Sequence, residues 1–540
     1  MQPGAGGVSE KAGTAVRREK NYSMTEARKK WIREQARFRG IFAGGAYPQG
    51  MFGRRIPLSS FPVYGEGKAF AEEALEAGPG GRQGERFEEE LAEYMGIKYA
   101  VAVSSGQAAL HLALKLAGER LYGSSSGVAA PGGLGRGGAL EGKRVFCPDL
   151  TGADMVNPVV FEGGEPVFID SADGGWSMDP EVLELAFAKY PDTGVVVMGH
   201  VYGFPGEAAE IRRICRGHGA LLVECAGEAL GAEYRTGCGG PDGRGGDARA
   251  GEAAGGCRTC RAGTGDAGCP EGSAESDVAC PSEDAGADRV PGSAWAKAGT
   301  LGDYCVLGFG RGKMLGHTGG ALLTGDYYSS EKARYWASGA RAATLWEQHE
   351  ELGCGCAMDG LVAAALRGQL LHLDEFMAGK RRIYGRYCEK LDGAMACVIP
   401  VLEGTRPSCC ITAMTCESNI RFRETRDDRG YTYEDIHGPA APMEVWEALE
   451  AFNVESSPVY KPMSMQPVFR NYEHFTLDGP WRMYEGFRND MFWQRCDMAK
   501  QYYESGICLP CDVGMTREEQ DKVMEVVCAC YDRADLDRMG

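Results

Sequence analysis

The stretch LGFGRGKMLGHTGG, Leu307 to Gly320, sets one lysine, Lys313, among glycines. Two chemistries suit a lysine so placed. Its ammonium could rest on a phosphate held by backbone N–H groups. Alternatively, its amine could form a Schiff base with a carbonyl cofactor, because the glycines leave room for a flat ring to approach. The phosphate loop fails on spacing. A Walker A loop built on Gly312 and Lys313 needs glycine at 307, which is Leu, and Ser or Thr at 314, which is Met. A dinucleotide fingerprint follows the first strand and opens a helix, whereas this stretch comes late and leads into another strand.

A reactive lysine serving a phosphorylated cofactor needs a phosphate cradle elsewhere, at the N-terminus of a helix. The stretch VAVSSGQAALHLAL, Val101 to Leu114, offers a strand, a tight Ser104-Ser105-Gly106 turn and a helix. The backbone N–H groups of Gly106, Gln107 and Ala108 are its candidate phosphate donors. The same pattern also suits an ordinary strand-to-helix turn.

The elements that must position these groups follow from hydrophobic periodicity. GERFEEELAEYMG spaces Phe87, Leu91 and Tyr94 as one helical face and stops at Gly96. DPEVLELAFAKY is a helix with Asp179 at the N-cap and Pro180 at N1. RVFCPDL, PVFID, GVVVMGHV and ALLVEC are short apolar strands, and GEAAEIRRICRGHG is an amphipathic helix. Such alternation predicts a parallel sheet covered on both faces. One long helix is expected from Asp359 to Leu391. The chain then mixes short strands and helices, ending in the helix TREEQDKVMEVVCACY. The expected organisation is a poorly ordered arm over 1–54, a large α/β domain over 55–375 and a small α+β domain over 376–540. Residues 236–298 are rich in Gly, Ala, Ser and Asp, and are expected to be a disordered insertion. Its CRTC at Cys257 and Cys260 lacks a second half, so incidental thiols are the better reading and no metal site is expected.

Composition narrows the partners. The 540 residues carry a net charge of −18, which disfavours nucleic acid and anionic membrane. No run of 18 apolar residues exists, and the N-terminus has no apolar signal core. The 21 cysteines are odd in number and scattered, as in a reduced cytoplasmic protein rather than a disulfide framework.

The segments quoted above fall in the same order as in the DegT/DnrJ/EryC1/StrS family of pyridoxal phosphate-dependent sugar aminotransferases. So do GHVYGFP, LLVECAGEALGAEY, RGQLLHLDEFMAGKRRIYGRY and VYKPMSMQPVF. The chain resembles the subgroup that makes amino sugars on nucleotide carriers for surface glycans. The resemblance implies the aspartate-aminotransferase-like fold (fold type I), a large mixed-sheet α/β domain with a smaller C-terminal α+β domain. It also implies a homodimer, a pyridoxal 5'-phosphate cofactor, and a sugar nucleotide and an amino donor as substrates. Lys313 matches the family's Schiff-base lysine, and Glu228 fits an accepted variant of its motif.

Several positions depart from the family. Gln107 stands where a cradle threonine is usual, Gly152 where an aromatic ring stacks on the cofactor, and Gly308 where a serine binds phosphate. Cys225 replaces the aspartate that pairs with the pyridine nitrogen, and a neutral thiol is a weak partner there. Glu224 is no substitute, because neighbours on a strand face opposite ways. Gly312 replaces an Asn. Ser457 and Ser464 replace an Arg and a His. GCGCA, Gly353 to Ala357, replaces a segment that reaches the neighbouring subunit's cofactor phosphate. Two readings follow: a working transaminase, or a non-catalytic homologue that keeps the fold and Lys313 and binds a sugar nucleotide or an active paralogue, the glycines at 152, 308, 312 and 355 leaving a wider, emptier pocket.

Overall fold

A computed structural model describes residues 54–61, 64–78, 81–123, 138–235, 295–391, 396–416, 422–427, 430–435, 442–481 and 497–539. All but the last residue of the expected arm, and Cys257 and Cys260, lie outside these. The strands in chain order are β1 (Tyr99–Val103), β2 (Arg144–Pro148), β3 (Glu165–Ile169), β4 (Val195–Gly199), β5 (Leu221–Cys225), β6 (Glu233–Arg235), β7 (Trp295–Lys297), β8 (Tyr304–Phe309) and β9 (Gly319–Thr324). They continue with β10 (Ala396–Val398), β11 (Thr405–Arg406), β12 (Thr412–Cys416), β13 (Phe422–Asp427), β14 (Gly430–Asp435), β15 (Ser457–Pro458), β16 (His474–Thr476), β17 (Gly479–Trp481) and β18 (Gly506–Leu509).

A nine-stranded sheet, in the order β1-β9-β8-β5-β4-β2-β3-β16-β17, organises the molecule. Its centre is parallel, as the alternating pattern predicts: β8, β5, β4, β2 and β3 all run one way. These strands are mostly apolar and buried because helices cover both faces, with Glu224 of β5 the buried charge among them. β9 runs antiparallel between β8 and β1, so the sheet is mixed. The fold is the type I α/β class.

The covering helices are α1 (Gly65–Ala77), α2 (Gln83–Met95), α3 (Gly106–Tyr122), α4 (Asn157–Phe161), α5 (Pro180–Lys189), α6 (Ala208–Gly217) and α7 (Tyr327–Ala337). They are followed by α8 (Gly360–Leu370) and α9 (Leu373–Leu391). The Asp179 carboxylate caps α5 through the Glu181 and Val182 N–H groups, with Pro180 at its first position. Phe87, Leu91 and Met95 form the buried face of α2, which ends at left-handed Gly96.

Three expectations need correction. The single helix from Asp359 to Leu391 is two helices, α8 and α9, broken at Leu371 and His372. The His372 ring leaves the helical line to stack on Tyr64 at 3.9 Å, while the buried stripe of Leu366, Leu370, Leu373 and Met377 runs through the break. The expected insertion ends early. Trp295–Lys297 form β7 against β6, and the Ala298 N–H binds the Ala232 carbonyl. The chain beyond 376 is also not wholly apart. It builds its own sheet, β10-β12-β18-β15, yet β16 returns to pair in parallel with β3 and extends the large sheet.

Among the described residues no helix is long and apolar enough to cross a membrane.

Candidate active site

The carboxyl ends of the central strands converge on one cavity, the usual ligand position in such sheets. Lys313, Cys225, Glu228, Gly152, Gly308 and Gly106 all line it. Gln107 and Ala108 do not.

Glu224 and Cys225 end β5 and face opposite ways, as the pleat requires. Glu224 is fully buried behind the sheet. It accepts from the N–H groups of Gly299 (2.7 Å), Leu301 (2.9 Å) and Gly302 (2.8 Å), and from the Tyr234 hydroxyl (3.0 Å). His200 Nε2 lies 3.0 Å from it, and the Gly206 N–H donates to His200 Nδ1, so the imidazole proton sits on Nε2. Burial works against its charge, but these donors outweigh burial and hold the carboxyl below its usual range. Cys225 faces the cavity without such donors. Burial, and then the nearby Asp154 charge, push its thiol well up, so it is neutral.

Lys313 is set by the loop between β8 and β9. Gly310 and Gly312 take positive φ values of 142° and 79°, conformations that favour glycine. The Lys313 N–H binds the Gly310 carbonyl, and Cys410 Sγ donates to the Gly312 carbonyl. Lys313 Nζ reaches Glu228 Oε1 at 3.3 Å. Burial disfavours the ammonium, but Glu228 and then Asp154 outweigh it, and the amine is held above the usual lysine range. Glu228 is fixed in turn: it accepts from the Tyr460 hydroxyl (2.6 Å) and the Tyr202 N–H (2.7 Å). Tyr202 adopts φ 57°, ψ 17°, a strained conformation for a non-glycine residue, costing on the order of 1–3 kcal/mol. Its contacts over-determine it. Its hydroxyl accepts from the Tyr460 N–H, and its ring stacks on Tyr460 at 5.0 Å.

The expected strand, turn and helix form, and one of the three N–H groups expected to be free is used. Ser105 caps α3, and its hydroxyl takes the Ala108 N–H at 3.1 Å. Ala108 is therefore a cap partner, not a free phosphate donor. The N–H groups of Gly106 and Gln107 open the helix and have no protein partner among the described residues.

The expectation of a wider, emptier pocket is overturned at Gly152, and Gly308 is closely approached, a Cβ there lying 3.3 Å from Gly106 Cα. A Cβ at Gly152 would lie 2.4 Å from Asp154 Oδ1, so the Asp154 carboxylate occupies the space of the expected ring. A Cβ at Gly106 would lie 2.6 Å from Gly308 Cα, and one at Gly227 would lie 2.6 Å from the Gly308 backbone. Gly308 thus marks a three-way backbone contact that brings the start of α3 against β8.

The sequence reading overlooked Asp154, Tyr202 and Tyr460. Tyr202 and Tyr460 lie inside quoted segments, GHVYGFP and VYKPM. Asp154 stands two residues from Gly152, and only folded geometry shows that it fills the gap.

The sequence profile of the family described as DegT/DnrJ/EryC1/StrS aminotransferase matches residues 68–251 and 279–528. The chain belongs to the DegT/DnrJ/EryC1/StrS aminotransferase family. Within that family it is 25% identical to EpsN of Bacillus subtilis over 482 residues, 88% of this chain and 95% of EpsN. It is 24% identical to GDP-perosamine synthase of Caulobacter vibrioides over 440 residues, 81% of this chain and 87% of that enzyme. The fold also matches Helicobacter pylori PseC, an aminotransferase involved in the biosynthesis of pseudoaminic acid. There the TM-score is 0.62 at 15% identity, covering 89% of this chain and all of PseC. These aminotransferase relatives give no support to the non-catalytic reading.

Proposed function

We propose that this protein is a pyridoxal 5'-phosphate-dependent aminotransferase that places an amino group on a keto-sugar nucleotide, for amino-sugar and surface-polysaccharide synthesis. The observation that carries the reading is Lys313, held as an ammonium 3.3 Å from Glu228 in the cavity onto which the N-terminus of α3 opens.

The residues fit the cofactor. The unpaired Gly106 and Gln107 N–H groups, at the positive end of a helix of 17 residues, suit its phosphate. Lys313 supplies the amine for its carbonyl. Cys225, at the place of the family's aspartate, would offer only a neutral thiol to the ring nitrogen, and Asp154 adds negative charge to the same cavity. When bound, the cofactor supplies an electron sink that acidifies the carbon bearing the amino group. The protein's part is to manage protons. Lys313 must lose its extra proton before it can act as nucleophile or general base. Glu228 Oε1 is the neighbouring acceptor, and Tyr460 and Tyr202 keep it in place.

A homodimer is supported by the exposed apolar side chains of Leu345 (97%), Trp346 (64%) and Leu352 (85%), on the segment leading into Gly353–Ala357. Cytoplasmic residence is supported by the described cysteines, all of which are free thiols.

The test is absorbance and turnover. Protein purified with pyridoxal phosphate should show a visible band that Lys313→Ala abolishes. It should also aminate a keto-sugar nucleotide, and Lys313→Ala should lower turnover by about 1,000-fold or more. Absence of the band in the parent protein would sink the reading. Sedimentation should give twice the chain mass, and Trp346→Glu should shift it toward the monomer.

A further inference from the structure

The ion pair of Lys313 and Glu228 is held at both ends by one short segment, Pro407 to Ile411, which joins β11 to β12. Ser408 acts on the carboxylate side. Its hydroxyl lies 2.8 Å from the Glu228 carbonyl and 3.3 Å from the Gly203 carbonyl, and with one proton to give it favours the nearer. Cys410 acts on the lysine side. Its thiol donates to the Gly312 carbonyl at 3.0 Å, and Lys313 is the next residue. The Gly312–Lys313 peptide is thereby fixed twice, its carbonyl by Cys410 and its N–H by the Gly310 carbonyl. Between Ser408 and Cys410, Cys409 adopts φ 54°, a left-handed conformation that non-glycine residues seldom take. Such strain persists where the surroundings over-determine it, and it concentrates at functional sites.

The surroundings here come from two sides. On the cavity side, the Ser408 N–H binds the Gly203 carbonyl at 3.0 Å, and the Ile411 N–H binds the Tyr202 carbonyl at 3.1 Å. Tyr202 is the residue whose own N–H holds Glu228 Oε2. The two segments meet so closely that a Cβ at Gly203 would lie 2.8 Å from the Cys410 nitrogen. On the far side, α9 grips the carbonyls of the segment. Arg381 Nε binds that of Pro407 at 2.7 Å, and Lys380 Nζ binds that of Cys410 at 3.0 Å. Lys380 is fully buried, and also donates to Ser59 Oγ at 2.7 Å and Cys511 Sγ at 3.2 Å. A buried ammonium is costly unless its protons are bonded. Here three acceptors take them, and one is the segment that braces the ion pair. Burial pushes the Cys410 thiol well up, so it works as a neutral donor.

We propose that Ser408 and Cys410 are positioning residues that set the 3.3 Å spacing of Lys313 Nζ and Glu228 Oε1, from a segment whose strained conformation Lys380 and Arg381 hold. The inference rests on the proposed function for the use of that ion pair, and on the contacts above for its geometry.

The test reads the lysine proton without any bound cofactor. The full chain is freed of carbonyl compounds with hydroxylamine and methylated with formaldehyde and cyanoborohydride across a pH series. The rate at Lys313 is read by peptide mass, and urea denaturation checks the fold of each variant. The charges facing Nζ are Glu228 and Asp154, with the neutral Cys225 and Cys410 thiols beside it. In Cys410→Ala the ion pair loosens and the proton leaves at lower pH. Its rate at about pH 8 should rise about threefold, half a pKa unit's worth. Ser408→Ala should move the profile the same way from the other end. Cys410→Ser restores a donor and should return the profile to the parent position. Added to Glu228→Gln, Cys410→Ala should change nothing further, because it acts through that carboxylate. A parent profile in either folded alanine variant would overturn the inference. So would a rise that persists in the Glu228→Gln background, or one that Cys410→Ser fails to reverse. These shifts in a protein that gives no visible band with pyridoxal phosphate would sink the aminotransferase reading and leave the positioning role standing.

Discussion

Glu224 and Cys225 are consecutive residues at the end of one strand, and the sheet gives them opposite surroundings. Behind it, Glu224 is saturated by three backbone N–H groups, the Tyr234 hydroxyl and His200. In front, Cys225 meets a cavity whose charges are Lys313, Glu228 and Asp154. The rear network closes the segment Ala298–Tyr304 onto β5 and is a structural device. The front gathers one cation and two carboxylates, and is where the proposed chemistry would take place. Proximity along the chain says little here; the face of the sheet decides the role.

The largest expected effect breaks the rear half of this comparison. Glu224→Ala removes one partner of a fully buried pair and strands three N–H groups and His200. With several buried donors left unsatisfied at about 1–3 kcal/mol each, it should lower the free energy of unfolding by about 3–5 kcal/mol, measured by urea denaturation. Cys225→Ala, one residue on, should cost only about 1 kcal/mol. Equal losses would mean that the two faces do not divide structure from chemistry.

Next comes the front. Cys225→Asp places a carboxylate where the family keeps one. Turnover should rise about 100-fold, the low end of the effect of one well-placed electrostatic partner. The new charge has none of the donors that serve Glu224, and Asp154 and Glu228 lie nearby. The same variant should therefore lose about 1–3 kcal/mol of stability. Unchanged turnover in a folded variant would show that Asp154 already supplies the needed charge.

How far this was readable from the sequence follows the same division. The strands and helices that frame the site were legible, because whole-apolar runs and 3.6-residue stripes report burial directly. The presence of Lys313 and Glu228 in the cavity was legible by resemblance to a family motif, and the opposed facing of Glu224 and Cys225 from the pleat alone. The break at Leu371 and His372 was not, because the apolar stripe passes through it without a Gly or Pro. The filling of the Gly152 position and the close approach of Gly106 to Gly308 were not legible either. A missing side chain reads as space in one dimension, and only the fold reveals that Asp154 and the Gly106 backbone take it. Nor could spacing show that Ser105 consumes the Ala108 donor.

The third prediction concerns the proton on Lys313. Glu228 and Asp154 hold the ammonium above the usual lysine range, so the free amine appears only as pH rises. Trapping by pyridoxal phosphate and borohydride should thus increase with pH. Glu228→Gln removes the closer charge and lets the proton leave at lower pH. At about pH 8 it should raise the rate of labelling about tenfold, one pKa unit's worth. The pH profile of labelling, read by peptide mass at Lys313, checks this. A profile that moves to higher pH would contradict the assigned ion pair.

The smallest effect tests the same pair from the other side. Tyr460 donates its hydroxyl to Glu228 Oε1, the oxygen that also faces Lys313 Nζ. In Tyr460→Phe the ring still stacks on Tyr202, and the Tyr202 N–H still binds Glu228 Oε2. Glu228 therefore stays in place but loses one donor to Oε1. The stability loss should be about 1 kcal/mol, the usual net value of one hydrogen bond. The electrostatic consequence runs opposite to that of Glu228→Gln. An oxygen relieved of one donor binds the ammonium more tightly, so the Lys313 proton leaves at higher pH and labelling at about pH 8 slows by roughly two- to threefold. The two variants move one measurement in opposite directions through one carboxylate. A shift in the same direction for both would mean that Tyr460 acts on Lys313 through packing and not through Glu228.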